Sequence, residues 1–433
     1  MNLLSIGGSD PSSGAGIQND LKTFDALNAY GLTVVTAITS QNTTRFGQVY
    51  PASKKITIDQ IDTVFSDFPI DGIKIGMVYN SELIKIIHHK IKKFSGPIIV
   101  DPVIKSTTGG MLIQKSAILS FRKYLVPIAS VITPNKFEAE IISKTKIDSL
   151  ESLTKAAKSI LKMGAKAVVI TGLEFEKGEI MDFLLTNNIQ EKIKDKKLKR
   201  KNHGSGCTFS AALLFGLVES KSLFESAKFA HKFTFESIKN AKTIGKGIPI
   251  TKIKKDELFL ELSQSIDKFI RIKNISARIP ECQTNFVFSK KNPKTEQDVM
   301  GISGRIVKSG NNAIQAGSLQ YGASKHVANA VLTLNKKFPK IRSAINLKME
   351  KETINALKKN GFRIKNYDRT KEPNNTKNTE GSSIIWGMNK VLKGTKIPPD
   401  AIYHNGDFGK EPMILIFGNS PKNVVKKIST LFE

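Results

Sequence analysis

His203-Gly204-Ser205-Gly206-Cys207-Thr208-Phe209-Ser210-Ala211-Ala212-Leu213-Leu214 runs a glycine-rich turn straight into an apolar helix. Glycines ahead of a helix let the backbone approach a ligand closely, and the helix start offers unpaired N–H groups to an anion. Such a position also lowers a cysteine's pKa, so Cys207 is suited to take or hold a proton while phosphate charge develops beside it. Read alone, Cys207 fits a small buried residue in a tight helix start as well. The turn is not a Walker loop, since no GxxxxGK[ST] occurs, and Phe209 stands where a dinucleotide fingerprint needs its third glycine.

Upstream, Ile98-Ile99-Val100, Val131-Ile132 and Ala167-Val168-Val169-Ile170 are short runs rich in branched residues, the pattern of buried parallel strands. Between the last two, Leu153, Ala156, Ala157, Ile160 and Leu161 recur at helical spacing, and Gly164 supplies a stop. This rhythm predicts an α/β layered domain, whose ligands gather at the carboxyl ends of strands. Residues 188–202 form a charge run that reads as a solvated hairpin or edge strand. Beyond Gly247-Ile248-Pro249, the residues Leu258, Leu262, Ile266 and Phe269 share one face of a helix expected to join two domains. Residues 365–382 are polar without periodicity and read as a long loop, a kind that often carries function.

A chain of 433 residues is too long for one ordinary core, and 40% apolar with 24% charged residues lets each half build its own. No run of eighteen apolar residues occurs, so no membrane span is expected. The opening Met1-Asn2-Leu3-Leu4-Ser5-Ile6-Gly7 lacks the segments of a secretory signal, which points to the cytoplasm. Cys207 and Cys282 lie far apart, so neither a disulfide framework nor a metal-type pair is expected. The histidines show no metal-ligand spacing, and His88-His89 reads as a solvated pair in a Lys-rich helical stretch. The net charge of +29 invites a nucleic-acid partner. Residues 1–255 carry 37 basic and 22 acidic side chains, and residues 256–433 carry 30 and 16. With no basic stripe interleaved with aromatics, this even excess reads as a Lys-rich surface suited to anionic substrates, without nucleic acid.

Other segments join the turn. Gly7-Gly8-Ser9-Asp10-Pro11-Ser12-Ser13-Gly14-Ala15-Gly16-Ile17-Gln18-Asn19-Asp20 links a strand to a helix through a glycine-rich loop. Ile38-Thr39-Ser40-Gln41-Asn42-Thr43, Lys74-Ile75-Gly76-Met77, Val100-Asp101-Pro102-Val103 and Ile132-Thr133-Pro134-Asn135-Lys136-Phe137-Glu138 follow in order. Together these resemble the hydroxymethylpyrimidine/phosphomethylpyrimidine kinases of the ribokinase-like superfamily over about residues 1–250. The resemblance implies a ribokinase-like layered α/β domain with a mostly parallel central sheet, over residues 1–255, using ATP and Mg2+. It implies that Asp20 and Gln41 hydrogen-bond an aminopyrimidine and that Met77 packs against it. Asn135 and Glu138 match the Asn-x-x-Glu motif that helps place magnesium on nucleotide phosphates. His203, Gly204, Ser205 and Gly206 would form the phosphate cradle, with Cys207 where many superfamily members carry an Asp base. A helix cap for Asp20 and a surface salt bridge for Glu138 remain open as alternatives. Two departures stand out: Ser13 replaces a second glycine, and Gly245-Lys246-Gly247-Ile248-Pro249 lacks one glycine of the closing segment near the adenine site.

From Ile279-Pro280-Glu281 onward the pattern changes. Gly301-Ile302-Ser303-Gly304-Arg305-Ile306, Tyr321-Gly322-Ala323-Ser324-Lys325-His326, Ala344-Ile345-Asn346-Leu347, Tyr367-Asp368-Arg369 with Glu372-Pro373, and His404-Asn405-Gly406-Asp407-Phe408-Gly409-Lys410-Glu411-Pro412 follow. Their Gly, Arg, Lys, His and Asp are materials for gripping a polyanion. They resemble the thiamine-phosphate synthase domains found fused to such kinases, over about residues 258–433, and imply a second, smaller α/β domain over residues 256–433. The chemistry implied is displacement of pyrophosphate from a pyrimidine-methyl diphosphate by a thiazole nitrogen. Arg305 and Lys410 are the candidates for holding pyrophosphate, His326 for proton or hydrogen-bond donation, and Asp407 for magnesium. A structural hydrogen bond for His326 stays open. Asp407-Phe408-Gly409 also spells a protein-kinase motif, but no His-Arg-Asp loop accompanies it. Two rivals remain: a pyridoxal-type kinase as the first domain, and a ligand sensor as the second. The partners implied are small molecules and, because ribokinase-like enzymes are often dimers, a second copy of the chain.

Overall fold

The computed structural model describes all residues other than 201, 220, 221, 374, 375, 377–381, 408 and 433. The chain divides into two compact units, Met1–Lys255 and Asp256–Glu433. The strands of the first unit are β1 (Asn2–Ser9), β2 (Tyr30–Gln41), β3 (Phe46–Pro51), β4 (Gly72–Ile75), β5 (Ile98–Val100), β6 (Val131–Ile132), β7 (Val168–Leu173), β8 (Glu179–Leu185) and β9 (Gln190–Lys196). They form one sheet in the order β3-β2-β1-β4-β5-β6-β7-β8-β9. From β2 to β7 neighbours run parallel, while β3, β8 and β9 add antiparallel edges.

Strands buried on both faces need apolar residues at every position, which explains the unbroken runs at β5 and β6. One face packs on the helices Ser81–Ile91 and Leu150–Leu161 through Ile84, Ile87, Leu153, Ala156 and Ile160. The other packs on Gly16–Ala26, Ser205–Val218 and Leu223–Lys239 through Phe24, Leu213, Leu214, Ala227 and Ala230. Truncating the fully buried Leu213 to Ala would cost about 2–5 kcal/mol. Part of the charge run 188–202 becomes the edge strand β9, whose Gln190, Glu191 and Lys192 face solvent while Ile193 packs inward. Charged side chains on a free edge discourage pairing with another chain.

The second unit contains β10 (Phe286–Ser289), β11 (Val299–Ile302), β12 (Ile306–Ser309), β13 (Asn312–Gln315), β14 (Leu319–Tyr321), β15 (Ser343–Lys348), β16 (Ile364–Asn366), β17 (Ala401–His404) and β18 (Met413–Gly418). Its main sheet has the order β14-β11-β10-β15-β18-β17-β16, antiparallel apart from the β16–β17 pair. A separate hairpin pairs β12 with β13. The helix Glu257–Ile270, expected as a joining segment, is instead built into this unit's core. Leu262, Ile266 and Phe269 are fully buried there beside Phe286, Val424 and Ile428, because a four-residue apolar stripe needs a surface to cover it. Of the polar stretch 365–382, residues 374, 375 and 377–381 lie outside the described residues. The remainder includes the buried pair Arg369 and Glu372, so it is not wholly a solvated loop. Among the described residues no helix is long and apolar enough to cross a membrane.

Candidate active sites of the two units

In the first unit the carboxyl ends of β1, β2 and β4–β7 converge with the 203–207 turn around a cavity of about 280 Å³. Gly204, at φ +97°, caps the helix Ser205–Val218 without any side-chain acceptor. A Cβ there would stand 1.8 Å from the Gly14 carbonyl oxygen, so no other residue fits. The N–H groups of Ser205, Gly206 and Cys207 have no carbonyl one turn back within the helix and open toward the cavity they line. Asn19 pins the turn by donating to Gly204 O at 3.1 Å and to Thr208 Oγ1 at 2.9 Å.

Asp10 ties the opposite loop to this turn. Its carboxylate accepts from the N–H groups of Ser12, Gly14 and Ala15, and His203 Nε2 lies 2.9 Å from its Oδ2. Burial works against this carboxylate, but the His203 and Ser12 hydrogen bonds hold it below the usual carboxylate range. The imidazole of His203 is therefore occupied in joining residues 10–15 to the turn. Ser13 takes φ +55°, the left-handed conformation that a glycine at this position would adopt without strain.

The floor of the cavity is a buried ion network. Lys74, 1% exposed, donates to Asp20 Oδ1 at 2.6 Å and lies 3.5 Å from Asp101 Oδ2. Ser5 donates to Asp20 Oδ2, and Ser210 to Asp101 Oδ2. Burial opposes the ammonium, yet the negative groups around it, Asp20 foremost, hold Lys74 above the usual lysine range. Asp20 lies inside the helix Gly16–Ala26 and is not its cap, which removes that alternative. Met77 packs with Ala37 and Leu112 on the apolar wall, and the buried Gln41 Oε1 has no hydrogen-bond partner.

Asn135 caps the helix Lys136–Ser143 in a reciprocal box: its Oδ1 accepts from Glu138 N, and Glu138 Oε2 accepts from Asn135 N, both at 3.0 Å. Glu138 Oε1 accepts from Ile104 N. Burial, with the Asp101 charge adding to it, pushes the Glu138 carboxyl up to about 8. Glu138 is thus a buried, hydrogen-bonded carboxyl, and the surface salt bridge is ruled out. Cys207 also departs from expectation. A helix start favours the thiolate, but burial, aided by Asp20 and Asp101 and opposed by Lys74, pushes the thiol up to about 12. Depth in the fold outweighs the helix end, so Cys207 carries its proton at neutral pH.

In the second unit a cavity of about 460 Å³ is lined by Arg305, His326, Asn285, Asn346, Cys282 and the 322–327 turn, among others. Arg305 sits at φ +64° and donates to the Cys282 carbonyl. A non-glycine residue held there is strained, a feature that clusters at functional sites. His326 opens the helix His326–Lys337. Burial, followed by Arg369, Arg305 and Lys410, drives its imidazole down to about 4, so at neutral pH it is uncharged. Hydrogen bonding, rather than proton donation from an imidazolium, is what this group offers. Asp407 and Lys410 close a tight turn through reciprocal backbone bonds at 3.1 and 2.8 Å. They do not line the cavity, although the Lys410 charge reaches His326. Among the described residues no group of three or more His, Cys, Asp or Glu is placed to hold a metal ion, so neither Glu138 nor Asp407 belongs to a ready-made protein cage.

A phosphomethylpyrimidine kinase profile matches residues 10–252, and a thiamine-phosphate synthase ThiN profile matches residues 261–430. The chain is 30% identical, over 100% of its length and 98% of the relative's, to the bifunctional thiamine biosynthesis protein ThiDN of Methanocaldococcus jannaschii. It belongs to the phosphomethylpyrimidine kinase family. Its second part carries the thiamine-phosphate synthase fold unit, so the chain is a two-enzyme homologue of thiamine biosynthesis. The hydroxymethylpyrimidine/phosphomethylpyrimidine kinase of Aquifex aeolicus is 36% identical over 58% of this chain and 99% of its own. Among solved structures, the pyridoxal kinase of Staphylococcus aureus in complex with pyridoxal shares 32% identity and a TM-score of 0.55, covering 59% of this chain and 93% of that one. The same kinase has been solved with ADP. The mixed, mostly parallel sheet of the first unit is accordingly the ribokinase-like fold.

All ten kinase-family residues singled out from the sequence, Asp20, Gln41, Met77, Asn135, Glu138 and His203 to Cys207, line the first cavity. Asp10, Asn19, Lys74 and Asp101 were assigned no part by sequence reasoning. Lys74 had a readable signal: a lone cation in the strand run Gly72-Ile73-Lys74-Ile75 must find buried carboxylates.

Proposed function

We propose that residues 1–255 form a kinase domain transferring the γ-phosphoryl of ATP to 4-amino-5-hydroxymethyl-2-methylpyrimidine and then to its monophosphate. Residues 256–433 form a synthase domain that joins the resulting diphosphate to hydroxyethylthiazole phosphate, releasing pyrophosphate and giving thiamine phosphate. The observation that carries the reading is the convergence of ten family-motif residues on one cavity beneath a helix start without a side-chain cap.

Phosphoryl transfer needs positioning and charge neutralisation more than covalent assistance. The amides of residues 205–207 supply fixed donors for the transferring group. Gln41 Oε1 is an acceptor in want of a donor, which the exocyclic amino group of an aminopyrimidine provides. Asp20, anchored by Lys74 and Ser5, stands on the floor beside it. Magnesium would neutralise the nucleotide phosphates, and its charge would draw the neighbouring Glu138 carboxyl into the anionic form that could help place the ion, with Asn135 ordering the helix. In the second domain Arg305, with Lys410 nearby, would hold the leaving pyrophosphate, and His326 would hydrogen-bond as a neutral imidazole.

The purified full chain, given the pyrimidine alcohol, thiazole phosphate and Mg-ATP, should form thiamine phosphate; absence of product would refute the reading. The likeness to pyridoxal kinases raises a second reading in which pyridoxal is the better acceptor. Comparing kcat/KM for the two alcohols decides between them, and a tenfold preference for pyridoxal would replace the first proposal. Supplying the pyrimidine diphosphate directly separates a synthase from a ligand sensor, because a sensor releases no pyrophosphate.

A further inference from the structure

Several buried polar atoms of the second unit lack a hydrogen-bond partner, and four of them share one neighbourhood: His326 Nε2, His404 Nε2, Arg369 Nε and Glu372 Oε1. Arg369, Glu372 and His404 are 7%, 5% and 3% exposed. Arg369 Nη2 donates to Glu372 Oε2 at 3.2 Å, which leaves Oε1 open. The Arg369 charge acts on both imidazoles, and His326 acts on His404. The Tyr367 ring lies 5.3 Å from that of His404. Of this cluster His326 alone lines the 460 Å³ cavity, while Arg369, Glu372, His404 and Tyr367 lie outside its lining and connect to it through the Arg369 charge on that imidazole. On the cavity wall the two asparagines are already engaged: Asn285 bonds Ile302 in both directions, and Asn346 bonds Asn285 N and Gln283 O.

The open atoms have defined senses. His404 Nδ1 accepts from Gly406 N at 3.1 Å, so on a neutral ring Nε2 carries the hydrogen and donates. Arg369 Nε donates, whereas Glu372 Oε1 only accepts. A phosphate offers acceptors alone and would be repelled by the free carboxylate oxygen. A thiazole ring carries no N–H to satisfy Glu372. A ring with an exocyclic amino group next to ring nitrogens matches both senses, and an aromatic wall suits its faces.

We propose that Glu372, Arg369 and His404, beside the Tyr367 ring, read the amino group and ring nitrogens of the aminopyrimidine in the second unit. This rests on the synthase reading above. Glu372 takes the amino hydrogen, while Arg369 and His404 donate to ring nitrogen.

The test uses the full chain without ATP, supplied with pyrimidine diphosphate and thiazole phosphate. Thiamine phosphate and its counterpart bearing a 4-oxo group in place of the 4-amino group are compared as inhibitors. Wild type should bind the amino compound roughly 30-fold more tightly, the size of one hydrogen bond to a charged group. Glu372→Gln, whose amide can turn to donate to an oxo group, should bring the ratio to about one or invert it. An unchanged ratio in folded Glu372→Gln overturns the proposal. Should that variant fail to fold, His404→Phe decides: its ratio must fall, and a ratio equal to wild type overturns the proposal as well. A wild type that forms no thiamine phosphate refutes the synthase reading, whereas one that forms it but binds both inhibitors equally refutes only the assignment of Glu372, Arg369 and His404.

Discussion

Replacing Cys207 should separate the two phosphorylations proposed for the first domain. The alcohol must lose a proton as its oxygen gains a phosphoryl group, whereas the monophosphate, already an anion near neutrality, has none to lose. Only the first step therefore has work for a base. Burial pushes the Cys207 thiol up to about 12, so at pH 7 about one molecule in 10⁵ carries a thiolate in the resting site. Relative to an ordinary thiol near 9, holding that charge costs about 4 kcal/mol. If Cys207 is the base, kcat/KM for the alcohol should climb nearly tenfold per pH unit from 7 to 9, while the value for the monophosphate stays almost level. Cys207→Ala should slow the alcohol step by about 10²- to 10⁴-fold, the usual worth of a positioned base, and the monophosphate step by less than about threefold. ADP release at saturating Mg-ATP, with each acceptor supplied separately, measures both. Equal losses at the two steps, or parallel pH profiles in wild type, would refute the base role and leave Cys207 as a packing residue beneath the helix start.

Glu138 gives a stability signature with a definite sign. Its folded value of about 8 lies above the ordinary 4.5, so from pH 4.5 to 8 the folded chain keeps a proton that the unfolded chain releases, and stability falls by at most about 5 kcal/mol as pH rises. Thermal melts of Glu138→Gln should lose this part of the decline; an unaltered pH dependence would contradict the burial argument. Gly204→Ala must move the turn away from the Gly14 carbonyl, and phosphorylation should drop at least about 100-fold while thiamine phosphate formation from supplied diphosphate persists. Retention of kinase activity within threefold would show that the turn can shift freely. Because His326 sits near 4, the synthase rate should show no imidazole limb between pH 5.5 and 8. A limb near 6.5 that disappears in His326→Asn would show that the bound site restores an ordinary imidazole.

Periodicity was sufficient for the strands β5, β6 and β7 and for the helix Leu150–Leu161, because layered α/β packing makes burial follow local pattern. The order of motifs along the chain was sufficient to gather ten residues on one cavity. Proton affinities were not legible. Cys207 at a helix start should titrate low by local rules, but those rules omit its burial by other segments, which also bring Asp20 and Asp101. For Glu138 the sequence left a magnesium-placing role and a surface salt bridge open, and only the fold puts Ile104 N over its oxygen. In residues 365–382 the polar composition concealed Arg369 and Glu372. Their i,i+3 spacing after Tyr367 was the available sign of a buried pair, and composition alone outweighed it.

The two cavities handle anions by opposite means, in keeping with the reactions proposed for them. Beneath the first cradle, Asp20 and Asp101 outnumber Lys74, so the side chains provide no surplus of positive charge. Backbone amides and a nucleotide-borne cation must do that work, which suits a site that binds a phosphate-rich donor and must then release ADP. In the second unit Arg369 is paired with Glu372, which leaves Arg305 and Lys410, both acting on the His326 imidazole, as the cations proposed for pyrophosphate. Fixed cations are what a displacement needs when the departing group is pyrophosphate, because charge accumulates on that group as the bond to carbon breaks. The same surplus excludes an imidazolium acid, since each added cation makes protonating His326 harder. Leaving-group charge and acid catalysis thus compete for this site, and the placing of Arg305 and Lys410 favours the former.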